Sequence, residues 1–242
     1  MGLDQAKQEA REHVWDLLER EEAVRRRGVH GHIPDFVGSE AAADRLVELP
    51  AWAVAEVLKS NPDRAQLPVR TRALEGGKLV YMAVPRLAEE LPFYELDPAD
   101  LAVSASKAAT GTVAKDIAPM VGLEQMRPID MVLCGTVAVD REGRRLGKGA
   151  GYSDIEFALA QEAGLISADT VIVTTVHQLQ VVDDVLPEDE HDFRVDYIVT
   201  PEETIACPGG HRPEGLIWES LTSAKIAAIP VLSARTGNKG GT

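Results

Sequence analysis

Short apolar runs alternating with segments of helical periodicity constrain this chain more than any other feature. Val54–Leu58, Leu79–Val84, Asp130–Asp140, Thr170–Val176 and Val195–Val199 are rich in β-branched and apolar residues. Helical patterns lie between them at Glu40–Leu49, Arg64–Leu74, Asp154–Gly164 and about Gly215–Lys225. Strands separated by helices need crossovers rather than hairpins, so the order predicts parallel pairing and a layered α/β sheet.

Local signals refine the outline. Leu3, Ala6, Ala10, Val14, Leu17 and Leu18 recur at helical spacing, predicting an amphipathic helix over about residues 4–25 whose polar face carries Lys7 and Arg11. Arg25-Arg26-Arg27 reads as its solvated end, where cations suit the negative pole. Ser39 is the expected N-cap of the next helix and Pro50 its stop. Leu91–Met126, punctuated by Pro92, Pro98 and Pro119, reads as an irregular wrap around one end of the sheet. Thr236–Thr242 lacks apolar residues and is expected to fray.

At 242 residues and 45% hydrophobic, the chain can bury one substantial core, and a single domain over 1–235 with a flexible tail over 236–242 is expected. No run approaches the ~18 apolar residues a membrane span needs. Two cysteines without CxxC spacing give neither a disulfide framework nor a zinc signature, which suits a reducing cytoplasm. Cys207-x3-His211 could be half a metal site, but a plain turn is the commoner reading. Thirty-nine acidic against twenty-five basic residues, a formal charge of −14, argue against nucleic acid as a partner. A small-molecule substrate, no membrane and an undetermined oligomeric state are the resulting expectations.

The segment Arg144–Asp154 (RRLGKGAGYSD) carries the clearest chemistry. Glycines at 147, 149 and 151 let backbone N–H groups approach phosphate oxygens, and the helix that follows aims its positive N-terminal pole at the same place. Arg145 and Lys148 add cationic donors. Asp154, at the helix start, could bind Mg²⁺, which prefers hard oxygen ligands; Asp196, before the strand Tyr197–Thr200, is the candidate second carboxylate. By spacing alone GxGxG is weak, matching neither the Walker-A nor the dinucleotide pattern, and a glycine-rich surface turn with Asp154 as its N-cap is the plain alternative.

The wider pattern is more specific. Arg145-Leu-Gly-Lys-Gly-Ala-Gly-Tyr-Ser-Asp154 resembles the RLGxGxGYYD signature of 5-formyltetrahydrofolate cyclo-ligases, also called methenyltetrahydrofolate synthetases. Pro128-Ile-Asp130, Val139-Asp-Arg-Glu-Gly143, Phe193-Arg-Val-Asp196 and Ala6-Lys7-Gln-Glu-Ala-Arg11 are similar to flanking family segments. His32-Ile-Pro-Asp-Phe36, Val176-His-Gln-Leu-Gln-Val181 and Glu190-His-Asp192 look like a subgroup called methenyltetrahydrofolate synthetase domain-containing proteins. The resemblance implies a three-layer αβα fold of the NagB/RpiA type with a mostly parallel central sheet.

It also implies ATP- and Mg²⁺-dependent closure of 5-formyltetrahydrofolate, or a related N-formyl compound, to 5,10-methenyltetrahydrofolate with ADP and phosphate. By motif position, Lys7 and Arg11 would contact the nucleotide, and Arg145 and Lys148 would act catalytically on the transferring phosphate. Gly147, Lys148, Gly149, Ala150, Gly151, Tyr152, Ser153 and Asp154 would cradle ATP, and Asp154 and Asp196 would hold Mg²⁺. The plain alternatives are a solvated helix face for Lys7 and Arg11, and simple packing for Tyr152. The pattern departs at Ser153 in place of a second tyrosine, at Ile155 in place of an arginine, and at Lys59–Arg64, where the family places a glutamate; Asp63 is the candidate substitute. No tryptophan lies between Ala102 and Pro128. A nucleotide-binding regulator without folate chemistry, or an ATP-dependent enzyme on another metabolite, therefore remain alternatives. His177, after Thr170–Val176, could face the site, although an isolated histidine is more often structural.

Overall fold

The computed structural model describes residues 2–237. Its strands in chain order are β1 (Val57–Ser60), β2 (Leu79–Ala83), β3 (Phe93–Leu96), β4 (Met120–Val121), β5 (Met131–Cys134), β6 (Ala138–Asp140), β7 (Arg145–Leu146), β8 (Val171–Thr175), β9 (Val181–Val182), β10 (Tyr197–Val199) and β11 (Thr204–Ala206). The helices are α1 (Leu3–Arg20), α2 (Ser39–Leu46), α3 (Pro50–Val54), α4 (Leu67–Glu75), α5 (Ala105–Ala108), α6 (Gly111–Ile117), α7 (Tyr152–Glu162), α8 (Ser223–Ala228) and α9 (Pro230–Gly237).

The main sheet runs β11-β10-β8-β5-β1-β2-β3-β4, parallel from β10 to β2 and antiparallel at both edges. Alternation along each strand sorts side chains to two faces. Val57, Leu79, Tyr81 and Ala83 join the core beneath α7 and α9, whereas Leu58, Val80 and Met82 pack with α2 and α4 on the other face. Each buried Val, Leu or Met among them stabilises by ~1.5–3 kcal/mol relative to exposure. The layers are thus αβα, as the family resemblance implied.

Chain order reverses between β1 and β5, which are neighbours: β2 lies to one side, β8 and β10 to the other. The carboxyl ends of strands at such a switch point open a crevice, because successive crossovers leave in opposite directions. Asn61-Pro62-Asp63 and Gly135 occupy those ends. A Cβ on Gly135 would stand 2.9 Å from Asp63 Oδ2, so glycine allows the close approach there.

The expected strand Asp130–Asp140 is broken at this glycine. After β5 the chain leaves the main sheet and forms β6, which pairs with β7 and β9 in a small second sheet under Trp15 and Leu18 of α1. Several other boundaries differ from expectation. The first helix stops at Arg20, because Glu22 turns to φ 53° and Val24 bridges Phe36; Arg25 then pairs with Asp35 at 3.7 Å and with Glu40. Gly38, at φ 89°, is the N-cap in place of Ser39, and Pro50 opens α3 rather than only ending α2. Val54 lies exposed in α3, so β1 begins three residues later than expected and takes in Lys59. The stretch judged irregular holds the antiparallel edge β3–β4 together with α5 and α6. Gly215–Lys225 is a 3-10 turn at Trp218–Ser220 followed by α8, not one helix. Of the tail expected to fray, Thr236 and Gly237 end α9, and 238–242 lie outside the described residues. Among the described residues no helix is long and apolar enough to cross a membrane.

Both thiols are held in their protonated form. Burial raises the pKa of Cys134, and burial, reinforced by Asp196, pushes Cys207 up to about 12. His211 Nε2 meets Glu190 O at 2.8 Å rather than joining Cys207, so the half metal site is a turn. Since the thiolate is the nucleophile, folded protein at about pH 8 should take up no iodoacetamide, whereas both cysteines react in denaturant. Native labelling detected by mass spectrometry would contradict this.

Candidate functional site

A cavity of about 770 Å³ opens above the switch point, between α1, the carboxyl ends of β1 and β2, and the loop joining β7 to α7. Its size lies within the ~300–1,000 Å³ typical of small-molecule sites. The glycine loop is one wall. Gly149 (φ 92°) and Gly151 (φ 69°) adopt the left-handed conformation that side chains disfavour, and Gly151 is the N-cap of α7. Asp154 is consequently not the N-cap; it sits in the first turn with its side chain on the cavity. Ser153 Oγ is buried there without a hydrogen-bond partner.

Arg145 lies on the cavity floor, 5% exposed. Its Nη2 donates to Asp154 Oδ1 at 2.8 Å, and its guanidinium stands 4.3 Å over the Phe193 ring, which stacks on Phe157. Burial, the largest single influence, would lower its pKa, but Asp154, Cys134, Asp192 and Glu156 together outweigh it, so the group is held charged above its ordinary value. Its buried Nε has no partner. A buried guanidinium on a cavity wall with an unpartnered donor is a group that an anion would suit.

α1 delivers two more cations, one helical turn apart. Lys7, 6% exposed, donates to Asp192 Oδ2 at 2.5 Å, which rules out a solvated helix face for it. Arg11 Nε donates to Gly147 O at 2.7 Å, and a Cβ on Gly149 would come within 3.4 Å of its Cζ. Burial lowers the Arg11 pKa, with Asp192 and Asp154 opposing. Lys148 reaches across the mouth, 3.8 Å from Asp63 Oδ1. Tyr152 lines the wall beneath Lys225, whose Nζ is 4.0 Å from the ring centroid.

Asp196 is not brought here. It precedes β10 and so lies at the amino end of the parallel strands, opposite the crevice; its carboxylate accepts from Ile172 N at 2.7 Å and Arg212 Nη2 at 2.9 Å. Asp192, four residues earlier, occupies the cavity instead. The signal lay in Glu190-His-Asp192, already similar to the family subgroup. His177 also stays outside: its Nδ1 accepts from Leu179 N at 3.2 Å, its ring meets Phe36 edge-on, and burial lowers its pKa. It is a structural cap.

Asp154 and Asp192 both line the cavity and are the residues that could hold Mg²⁺. Arg145 takes Oδ1 of Asp154 and Lys7 takes Oδ2 of Asp192, which leaves one oxygen of each, the Asp192 one 4.0 Å from His191 Nε2. Mg²⁺ usually takes only one or two carboxylates and completes its shell with water and phosphate. Among the described residues no group of three or more His, Cys, Asp or Glu is placed to hold a metal ion by itself.

Sequence reading overlooked Glu156 and the partners that hold it. Glu156 lines the cavity from α7, 3% exposed, accepting on Oε2 from Lys59 Nζ at 2.5 Å and Asn61 Nδ2 at 2.9 Å. Burial pushes its carboxyl above the ordinary carboxylate range, and Lys59 pulls it back only in part. A strand ending at Leu58 puts Lys59 in a loop, whereas its place in β1 buries it against Glu156.

Fold and site together define a three-layer α/β protein with a cationic, glycine-rich loop set at a switch point and framed by carboxylates. Comparison with known proteins narrows the class. The family model for 5-formyltetrahydrofolate cyclo-ligases matches residues 3–201, and the chain belongs to that family. It is 38% identical over 234 residues to the mouse (Mus musculus) methenyltetrahydrofolate synthase domain-containing protein, covering 94% of this chain and 62% of that one. It is 36% identical to the human protein of the same name, with 94% and 60% covered. The chain thus spans about three fifths of these relatives' length. A 5-formyltetrahydrofolate cyclo-ligase from Mycolicibacterium smegmatis is 27% identical over 170 residues, 70% of each chain. The solution structure of 5,10-methenyltetrahydrofolate synthetase from Aquifex aeolicus superposes with a TM-score of 0.54 at 24% identity, covering 85% of this chain and 95% of that one, and shares the fold.

Proposed function

We propose that the chain binds Mg²⁺-ATP on Gly147–Asp154 and uses it to close 5-formyltetrahydrofolate, or a related N-formyl compound, to the methenyl form, releasing ADP and phosphate. The observation that supports this most is the convergence of Lys7, Arg11 and Arg145 on one glycine loop with Asp154 and Asp192 beside them. In such a reaction the formyl oxygen takes the terminal phosphoryl group and leaves as phosphate when the ring nitrogen attacks the carbon. The protein's task is then mostly placement and charge neutralisation. Arg145 is fixed by Asp154 and Phe193 before any ligand arrives, so little reorganisation is needed. Lys7 and Arg11 hold the loop side of the phosphates, and Lys148 faces the acceptor end. Bound Mg²⁺ would neutralise phosphate charge as a Lewis acid.

Purified chain with ATP, Mg²⁺ and 5-formyltetrahydrofolate should develop the near-ultraviolet absorbance of the methenyl product. ATP affinity without product would favour the second reading, a nucleotide-binding protein with another acceptor or none. One observation favours that reading: the end of β1 presents Lys59 locked to Glu156, and Asp63 is the carboxylate left near Lys148. The metal assignment has its own test. Asp192→Ala should weaken Mg²⁺-dependent ATP binding about 10-fold or more, comparably to Asp154→Ala. Asp196→Ala should leave ATP affinity intact and cost roughly 1–3 kcal/mol of stability through the bonds to Ile172 and Arg212. Calorimetry showing the reverse order would return the metal to Asp196.

A further inference from the structure

On the outer side of α7 lies a second hollow, of about 140 Å³. Ile155 and Ala158 form one wall, and Leu216, Ile217 and Leu221, from the segment leading into α8, form the other. Gly151, Asp154 and His191 line both this hollow and the main cavity, so the two adjoin at the end of the glycine loop. The closing segment is anchored to the same loop: Lys225 Nζ donates to Ala150 O at 2.6 Å and covers the Tyr152 ring. Leu216 N also donates to Glu162 Oε1 at 2.9 Å, tying the segment to α7. These residues lie beyond position 201, where the family match ends.

We propose that this hollow receives the heterocyclic base of the nucleotide whose phosphates lie on the glycine loop, an assignment that rests on the nucleotide reading above. Its volume is below that of a drug-sized site and suits one flat ring system. Its rim hydroxyls are already engaged, Ser220 Oγ donating to Ile217 O at 2.7 Å and Thr222 Oγ1 accepting from Lys225 N at 3.1 Å; Lys225 Nζ is taken by Ala150 O and Asp154 Oδ1 by Arg145, so the open wall is mostly apolar, with His191 as its polar edge. Such a slot favours the face of an aromatic heterocycle over a phosphate or a charged group. The placement also sets direction. With the base beyond Asp154, the phosphates run back along the loop and the terminal one faces Lys148, Asp63 and the switch-point crevice, where an acceptor has room. The segment after residue 201 thereby becomes part of the ligand site.

The test compares Mg²⁺-ATP with Mg²⁺-tripolyphosphate, which has the charge but no base, by calorimetry on the full chain. Wild type should bind ATP about 30-fold more tightly, the gain of burying one ring system. Ala158→Leu, which fills the slot, and Leu216→Asp, which charges its half-buried wall, should each bring that ratio to within about threefold while leaving tripolyphosphate affinity unchanged. Equal affinities in wild type, or an unaltered ratio in both folded variants, overturn the base site while leaving the phosphate site standing. Failure of both anions to bind overturns the nucleotide reading itself, and the base site with it.

Discussion

Arg145→Met should lower ATP-dependent turnover by about 100-fold or more and abolish measurable nucleotide binding, because the guanidinium is the buried donor the cavity is built around. Three contacts fix it: Nη2 on Asp154, Nη1 at 3.5 Å from Gly135 O, and the face of Phe193. Lysine cannot restore them, since an ammonium has neither the fork nor the flat face, so Arg145→Lys should recover only a small part of the loss. Removing the charge also leaves Asp154 beside a cavity without its cation. Breaking a buried pair costs ~3–5 kcal/mol, and because the Asp154 side chain is 20% exposed, the lower end of that range is expected. Denaturant titration and ATP calorimetry on the same samples separate the two effects. A variant that loses stability but binds ATP like wild type would remove Arg145 from the phosphate site.

What the sequence disclosed follows from how local each feature is. The loop and the helix after it are contiguous, so Gly147–Asp154 could be read without knowing the fold. Lys7 and Arg11 needed only helical periodicity to share a face. The carboxylate partner was different: both Asp192 and Asp196 precede or flank an apolar run, and only the end of the sheet at which each sits separates them. That depends on β10 being parallel to β8, with Asp196 entering at its amino end. β1 failed for a local reason. Pro50 at the first position of α3 carries helix through Val54, so the strand starts later and its third residue is a lysine that no propensity scale would bury. Edge strands as short as β4, two residues long, lack any alternation to detect. The segment after residue 201 was legible as apolar residues but not as a wall of a site, since nothing in it names the loop it packs against.

The Lys59–Glu156 pair should be the most destabilising place to remove a single charge. Lys59 stands on β1 at 1% exposure and its partner on α7 at 3%, so the pair ties the central strand to the helix that follows the glycine loop. In Lys59→Met a carboxylate stays buried with Asn61 as its remaining donor, and roughly 3–5 kcal/mol should be lost, lowering Tm by roughly 10 °C. The loss should depend on pH in a definite sense. Burial already holds the Glu156 carboxyl above its ordinary value, and removing the ammonium moves it further up. A carboxyl raised in the folded state binds its proton more tightly there than in the unfolded chain. The deficit should therefore be small below the ordinary carboxylate value of about 4.3 and grow as pH climbs through the raised folded value. Lys59→Met combined with Glu156→Leu removes both charges and should recover most of the lost stability, because apolar replacement of a whole buried pair is often neutral. Denaturation of the single and double variants at acid and neutral pH decides the matter: a deficit independent of pH, or a double variant no better than the single, would mean that the two side chains are not coupled as a buried ion pair.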